Sequence, residues 1–169
     1  RLTEEALTVP AGVSASLDFI GFKADRGLTA PVEDGYVLNV DGKLNLMSTG
    51  DGGVKGLITG GYNSGDGGGV YVSGGDTFKL TNEAVIANNK TTGKSGGGIT
   101  CHGDLVINDA TVALNRSAKY GGGVFYQNSG HKITLTKANI SGNEAENDGG
   151  GLYIKQGEVE ISGGKITAN

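Results

Sequence analysis

Aromatic side chains recur at one position of a repeated motif in this sequence. Tyr71, Phe125 and Tyr153 each stand two residues after a run of three glycines, and Thr100 holds the same position in a further copy. Aromatic residues in line on a surface mark interaction sites, so these residues could form a platform for sugar rings or a partner protein. Rings that only stack on one another along a sheet would instead stabilise the fold. Tyr71, Thr100, Phe125 and Tyr153 are therefore candidate binding residues.

Candidates for acid–base catalysis are weak. Arg116 follows a turn and could act as a base, but the sequence offers it no obvious carboxylate or metal partner. His102 and Asp104 share a short loop, and His131 stands in another loop without a second histidine at the spacing of metal ligands. We interpret these three as solvated loop residues. The pattern predicts no catalytic residues, and it leaves open whether the protein is an enzyme.

A metal site is the remaining chemical possibility. Asp34 and Asp66 stand before glycine-containing corners of neighbouring repeats, which would place them roughly 5 Å apart if the repeats stack as adjacent strands. Two carboxylates so placed can share a Ca²⁺ ion. Aspartates also initiate turns without any ion. We therefore predict no cofactor, with calcium as the alternative.

Runs of three glycines mark the start of each repeat. The runs occupy residues 67–69, 96–98, 121–123 and 149–151, and glycine makes up 33 of the 169 residues. Collagen would need glycine at every third position with abundant proline, but this chain has two prolines and regular apolar positions. A folded, turn-rich β protein remains.

Three short apolar alternations follow each glycine run, and each repeat ends with an apolar residue, two variable residues and an asparagine. Alternation with a period of two predicts strands with one inward face. The predicted fold is all-β, a right-handed parallel β-helix of about five to six rungs, each with three short strands. Residues 1–34 would form an opening turn or cap, and residues 35–169 would form the rungs, the last one cut short.

Two corners of the predicted coil have their own residue types. Glycine runs would stack where the backbone needs positive φ and where neighbouring rungs approach closely. Asn89, Asn115, Asn143 and Asn169 would stack at a second corner. There the side-chain amides could hydrogen-bond from rung to rung, and asparagine tolerates left-handed φ. We predict that this turn ladder is structural.

Composition excludes several classes of function. The formal net charge is -4, and Arg1, Arg26 and Arg116 are scattered, so no basic surface for nucleic acid is expected. No apolar run is long enough to span a membrane. The single cysteine, Cys101, cannot form an internal disulfide, and we interpret it as a small buried hydrophobe.

The motifs resemble those of one group of proteins. The starts "GGGVYV", "GGGITC", "GGGVFY" and "GGGLYI", the asparagine-ended third strands and the opening "LTVPAGVSASLDF" are similar to right-handed parallel β-helix repeat proteins of the pectate-lyase-like superfamily. The likeness is greatest to large adhesin-like surface proteins of bacteria. It implies a secreted or cell-wall-attached bacterial protein whose partner is a polysaccharide or a host surface protein. Because the sequence starts with arginine and stops inside a repeat, we expect a fragment of a longer secreted precursor.

Two functions stay open at this point. A non-catalytic module would act as a rigid stalk or adhesin and would bind a glycan or a host protein on an outer face. The resemblance also allows a polysaccharide-active lyase or hydrolase, or a non-catalytic fragment of one, because this fold carries many activities. Outward strand positions lack a cluster of arginine, lysine and aspartate, which favours the first function. An unpaired sheet edge at the end of the coil would also allow end-to-end self-association.

Overall fold

Apolar and polar residues alternate in every repeat, and the resulting strands stack in parallel on their counterparts in the next repeat. The computed structural model describes residues 5–50 and 53–169, and the regular structure within them is all β. No helix in these ranges is long and apolar enough to cross a lipid bilayer. The strands are β1 (Leu7–Val9), β2 (Ser14–Asp18), β3 (Lys23–Asp25), β4 (Leu38–Val40), β5 (Lys43–Met47), β6 (Leu57–Thr59), β7 (Tyr62–Asn63), β8 (Val70–Val72), β9 (Thr77–Thr81), β10 (Val85–Ala87), β11 (Lys90–Thr91), β12 (Ile99–Cys101), β13 (Asp104–Asn108), β14 (Thr111–Ala113), β15 (Arg116–Ser117), β16 (Val124–Ser141), β17 (Glu144–Ala145) and β18 (Leu152–Thr167).

Each coil contributes one strand to each of three parallel sheets. The first sheet contains β1, β4, β8, β12 and the starts of β16 and β18. The second contains β2, β5, β9, β13 and the middle parts of the same two long strands. The third contains β3, β6, β10, β14 and their ends. The chain is therefore a β-solenoid of six coils, which confirms the predicted parallel β-helix.

Inward side chains stack into continuous apolar columns. In the middle of the third sheet this column contains Ile58, Ile86, Val112 and Ile140, all fully buried. Complete burial of one such side chain stabilises the fold by about 1.5–3 kcal/mol. In the first sheet, Cys101 lies between Val72 and Tyr126. Burial raises the pKa of its thiol to about 12, so Cys101 is a small hydrophobe in the core, as predicted.

The asparagines that end the repeats hydrogen-bond from coil to coil. We call Asn89, Asn115, Asn143 and Asn169 the asparagine ladder. Oδ1 of Asn115 accepts hydrogen bonds from both the backbone N–H and the Nδ2 of Asn89, each at 3.0 Å. Nδ2 of Asn115 donates to Oδ1 of Asn143 and to the carbonyl oxygen of Ile86, again at 3.0 Å each. A buried polar group left without partners costs about 1–3 kcal/mol, so each amide holds its coil in one register with the next.

The left-handed residue of this turn stands one position earlier than predicted. Asn88 and Leu114 have φ of 57° and 56°, and Gly142 has φ of 63°. None of the described ladder asparagines has positive φ. The expectation that these asparagines take left-handed φ is therefore wrong. Their side chains must face the neighbouring coil to share amides, and the preceding residue makes the reversal that allows this.

Glycine is needed opposite the ladder because the glycine runs lie directly against the amides. A Cβ atom on Gly98 would lie 2.6 Å from the carbonyl oxygen of Gly123 and 2.8 Å from Nδ2 of Asn115. Gly96, the first residue of the same run, has φ of 72°. Both predicted reasons for glycine, close approach and positive φ, are therefore present in this run. The glycine run and the asparagine turn, predicted as separate corners, are in contact.

A fourth sheet of two-residue strands is absent from the sequence prediction. β7, β11, β15 and β17 pair in parallel and lead the chain outward between each asparagine turn and the next glycine run. Side chains from these strands hold the returning chain: Ser117 Oγ donates to the carbonyl oxygen of Lys94 at 3.0 Å, and Nδ2 of Asn63 donates to that of Asp66 at 2.6 Å. We call these excursions, residues 62–66, 90–95, 116–120 and 144–148, the loop wall.

The final strand has an open edge. β18 pairs with β16 and with no other described strand. Val159, Ile161 and Ile166 occupy inward positions on β18 but are 46%, 54% and 47% exposed. Exposed strand edges recruit further strands, so end-to-end self-association of this chain stays a prediction.

Replacing Val112 with aspartate should prevent folding, because the carboxylate would stand unpaired in the fully buried column of the third sheet. Val106→Asp is the matched control, since Val106 is half-buried at an outward position of the second sheet beside Lys79. Circular dichroism and thermal melts of the two variants check this. Wild-type melting of Val112→Asp would contradict the inward register.

Candidate functional site

Side chains on the outward face of the first sheet, together with two from residues directly beside its strands, form a stack of rings that crosses successive coils. We call Tyr36, Tyr71, His102, Phe125 and Tyr153 the aromatic column. Ring centroids are 5.9 Å apart from Tyr36 to Tyr71 and from Tyr71 to His102, 6.4 Å from His102 to Phe125, and 5.7 Å from Phe125 to Tyr153. The first and last of these pairs are stacked, with interplanar angles of 19° and 5°. The rings therefore make a continuous strip along the solenoid axis.

The strand register puts the four predicted binding residues in one row. Tyr71, Thr100, Phe125 and Tyr153 are paired neighbours in the first sheet. Thr100 is fully buried, and its hydroxyl donates to the carbonyl oxygen of Ser95 at 2.8 Å. Its side chain ties the loop wall to the sheet and is not accessible to a ligand.

His102 fills the gap that Thr100 leaves in the stack. It follows Thr100 by two residues, so alternation points both side chains outward. Its Nδ1 lies 3.1 Å from the carbonyl oxygen of Gln127, and its own carbonyl oxygen accepts a hydrogen bond from Asn128 Nδ2. The interpretation of His102 as a solvated loop residue is therefore wrong. Extending the alternation past Cys101 would have placed this residue on the outward face, next to the row.

The rings differ in their access to solvent. Phe125 lies between His102 and Tyr153 and is 7% exposed, whereas Tyr71 and Tyr153 are half-buried. Tyr120, from the loop wall, lies 4.8 Å from the Tyr153 ring and adds to the cover over this end of the column. The expectation that alternation exposes all three predicted aromatics fails at Phe125, because the loop wall lies beside the sheet.

The loop wall and the aromatic column together form a groove with two halves. One half, about 380 Å³, contains Tyr36 and Tyr71. The other, about 390 Å³, contains His102, Phe125 and Tyr153. Asp66 and Lys94 line both halves and form an ion pair of 3.6 Å where the halves meet. The rings form the floor of this groove, and the loop wall forms one side.

The two halves of the groove carry opposite charges. We call the half with Glu33, Asp34 and Asp66 the acidic half, and the half with Lys94, Lys119 and Lys155 the basic half. In the acidic half, burial and the nearby Asp34 carboxylate raise the pKa of Tyr36 to about 12. Burial, followed by the charge of Asp66, also raises the pKa of Tyr71. Both phenols therefore stay neutral at neutral pH; the Tyr36 hydroxyl hydrogen-bonds the Asp34 carboxylate, and the Tyr71 hydroxyl can donate to a ligand.

The two candidate calcium ligands do not hold equivalent positions. Asp34 itself has left-handed φ of 52°, whereas at the next corner Gly67 has it, with φ of 73°. Asp66 precedes that glycine; its Oδ1 accepts the Ser95 N–H at 2.9 Å, and its Oδ2 pairs with Lys94. The described part of the chain holds no group of three or more His, Cys, Asp or Glu side chains placed for a metal ion. Arg26 supports the Asp34 corner by donating to the carbonyl oxygens of Asp34 and Tyr36 at 2.5 and 2.6 Å.

The residues weighed for catalysis have carboxylate partners that the sequence did not reveal. Arg116 lies on the fourth sheet, 3.8 Å from Glu144 and 3.5 Å from Glu146. His131 Nδ1 lies 3.2 Å from Oδ1 of Asp104. Neither residue lines the groove. The interpretation of Arg116 as unpartnered and of His131 as isolated is therefore wrong, because the partners come from neighbouring coils.

The fold and the site define a β-solenoid with a ring-lined, charge-divided groove on one sheet. No protein-family model, curated protein or solved structure matches this chain. The function is therefore inferred from the groove itself.

Phe125→Ala should destabilise the protein by about 3 kcal/mol, because Phe125 is a covered ring between two others. Tyr153→Ala should cost roughly half as much, since half-buried Tyr153 returns less area to water. Chemical denaturation of the two variants measures both values. An equal cost, or a smaller cost for Phe125→Ala, would show that the loop wall does not cover the column.

Proposed function

We propose that this chain is a non-catalytic binding module whose groove holds an elongated polysaccharide along the aromatic column. The observation that carries the proposal is the continuous row of rings on the groove floor, with neighbouring centroids 5.7–6.4 Å apart. That spacing is comparable with the length of one sugar residue, so residues of a glycan could meet the half-buried rings of the column in turn, while the covered Phe125 packs between its neighbours. The flat faces of sugar rings are apolar, and a sugar hydroxyl can accept a hydrogen bond from Tyr71.

The coil gives this groove its rigidity. The rings are attached to a sheet whose strands are paired on both sides in the middle of the solenoid. The loop wall is tied to this sheet through Thr100, and Ser117 ties two neighbouring excursions of the wall to each other. A preformed site loses little conformational freedom when it binds. Such a module suits adhesion, where a stiff spacer presents a binding face. This mode of binding needs no cofactor.

The resemblance to adhesin-like β-helix proteins of bacteria and to the pectate-lyase-like superfamily supports the same proposal. We further propose that the protein is extracellular or attached to the cell surface, where polysaccharides or host surface glycans are its partners. A host protein recognised without its glycans is the alternative partner, and binding of the free oligosaccharides below would decide for the glycan.

Isothermal titration with neutral arabinoxylan and acidic polygalacturonate oligosaccharides tests the proposal. Tyr71→Ala and Tyr153→Ala should each weaken binding roughly two- to tenfold, since an aromatic contact is worth about 0.5–1.5 kcal/mol. Tyr62→Ala is the matched control, because Tyr62 is a half-buried aromatic on the fourth sheet, outside the aromatic column, with Lys90 over its ring.

Equal loss of affinity in the Tyr62→Ala control, or wild-type affinity in both column variants, would refute the groove as the binding site. Analysis of the same mixtures for shortened or unsaturated products tests the non-catalytic part of the proposal. A new product from either oligosaccharide would show a polysaccharide-active enzyme instead.

A further inference from the structure

The groove separates its charges along the solenoid axis. The acidic half is lined by Glu33, Asp34 and Asp66, and the basic half by Lys94, Lys119 and Lys155. Asp66 is the one carboxylate among the described residues that line the basic half, and Lys94 is the one cation among those that line the acidic half. These two residues pair with each other at 3.6 Å. The junction is therefore neutralised, and net charge remains towards the two ends.

The end charges are available to a ligand. Within residues 5–50 and 53–169, Lys119 and Lys155 form no ion pair with a carboxylate. Within the same residues, Glu33 and Asp34 form no ion pair with a basic side chain. Asp34 is separated from the corner that carries Lys119 by three coils, roughly 14 Å at the interstrand spacing. The Debye length at physiological ionic strength is about 8 Å, so the two ends attract ligand groups almost independently.

We propose that the groove selects a zwitterionic polysaccharide, one that carries a free amino group and an acidic group some two to three coils apart, roughly 10–15 Å. This inference rests on the proposed function and names its ligand class. The ammonium group lies beside Asp34 and Glu33 in the acidic half, which also contains Tyr36 and Tyr71. The carboxylate or sulfate group lies in the basic half beside Lys119 and Lys155.

A chain with only one sign of charge meets repulsion in half of the groove. A purely anionic glycan would place acidic groups against Asp34 and Glu33, and a purely cationic glycan would place ammonium groups against Lys119 and Lys155. Like-charge contacts of this kind produce specificity by penalising the wrong ligand. The neutral ring floor contributes equally to all three ligand classes, so the charges decide between them.

Heparosan oligosaccharides test the proposal because one backbone provides both charge states. Partially de-N-acetylated heparosan carries glucosamine ammonium and glucuronate carboxylate groups, fully N-acetylated heparosan carries only the carboxylates, and chitosan oligomers carry only ammonium groups. Titration calorimetry at low and physiological salt should give at least tenfold tighter binding of the de-N-acetylated heparosan than of the other two. The difference should shrink as salt rises.

Charge variants locate the selectivity. The double variant Asp34→Asn, Glu33→Gln should remove the preference for the free amino group. It should leave the binding of N-acetylated heparosan equal or tighter. Asparagine is used at position 34 because it also tolerates the left-handed backbone there. Lys119→Met with Lys155→Met should weaken N-acetylated heparosan several-fold and leave chitosan equal or tighter. Lys165→Met, at an exposed position on the third sheet, is the control and should change nothing.

Equal affinity of the wild-type protein for the two heparosans would overturn the zwitterion inference, while the proposed glycan-binding function would stand on the neutral oligosaccharides and the ring variants. Loss of the amino-group preference in Lys165→Met would equally overturn it. Absence of binding to every glycan, neutral or charged, would overturn the proposed function and this inference together.

Discussion

The contact between the asparagine ladder and the glycine runs is the constraint on which the rest of the molecule depends. One buried amide, that of Asn115, accepts two hydrogen bonds from the coil before it and donates one to the coil after it and one to Ile86. The amide needs the space beside Gly98, where a Cβ atom would lie 2.8 Å from its nitrogen. Glycine loses much backbone freedom on folding, and a buried asparagine amide loses its contacts with water. The packing of the amide against the glycine run offsets both losses and sets the offset between coils.

The same contact creates the functional surface. Because the asparagine turn and the glycine run meet, the residues between them cannot lie over the core and are directed outward as the loop wall. The wall carries Lys94, Lys119 and Tyr120 to the side of the first sheet, where they face the rings of the aromatic column. The repeat that stabilises the fold therefore also places variable loop residues at a fixed distance from the outward residues of a rigid sheet. Ligand preference can change with the loop sequence, because the coil does not depend on that sequence.

Much of the fold could be predicted from the sequence because its signals recur in every repeat. The strands at Val70–Val72 and Ile99–Cys101 follow their glycine runs directly, as the apolar alternations predict, because alternation with a period of two reflects one inward face. The fourth sheet could not be predicted, because two-residue strands such as Arg116–Ser117 are too short to show alternation. The ion pairs of Arg116 and the ring contacts of His102 join neighbouring coils, so they depend on the exact register of loops whose lengths vary. Alternation correctly predicts that Phe125 points outward, but its burial comes from the loop wall, whose position the sequence does not indicate.

Side-chain amide hydrogen exchange, followed by NMR on the folded protein, tests the central claim most directly. If the ladder locks the coils together, the Nδ2 protons of Asn89, Asn115 and Asn143, which are 0–2% exposed, should exchange only through opening of the coil. The Nδ2 protons of Asn108 and Asn147, which are exposed on the surface, should exchange at the rate of a free amide. Protection of the ladder amides by several orders of magnitude is the predicted result, and equal exchange rates in the two groups would contradict the account.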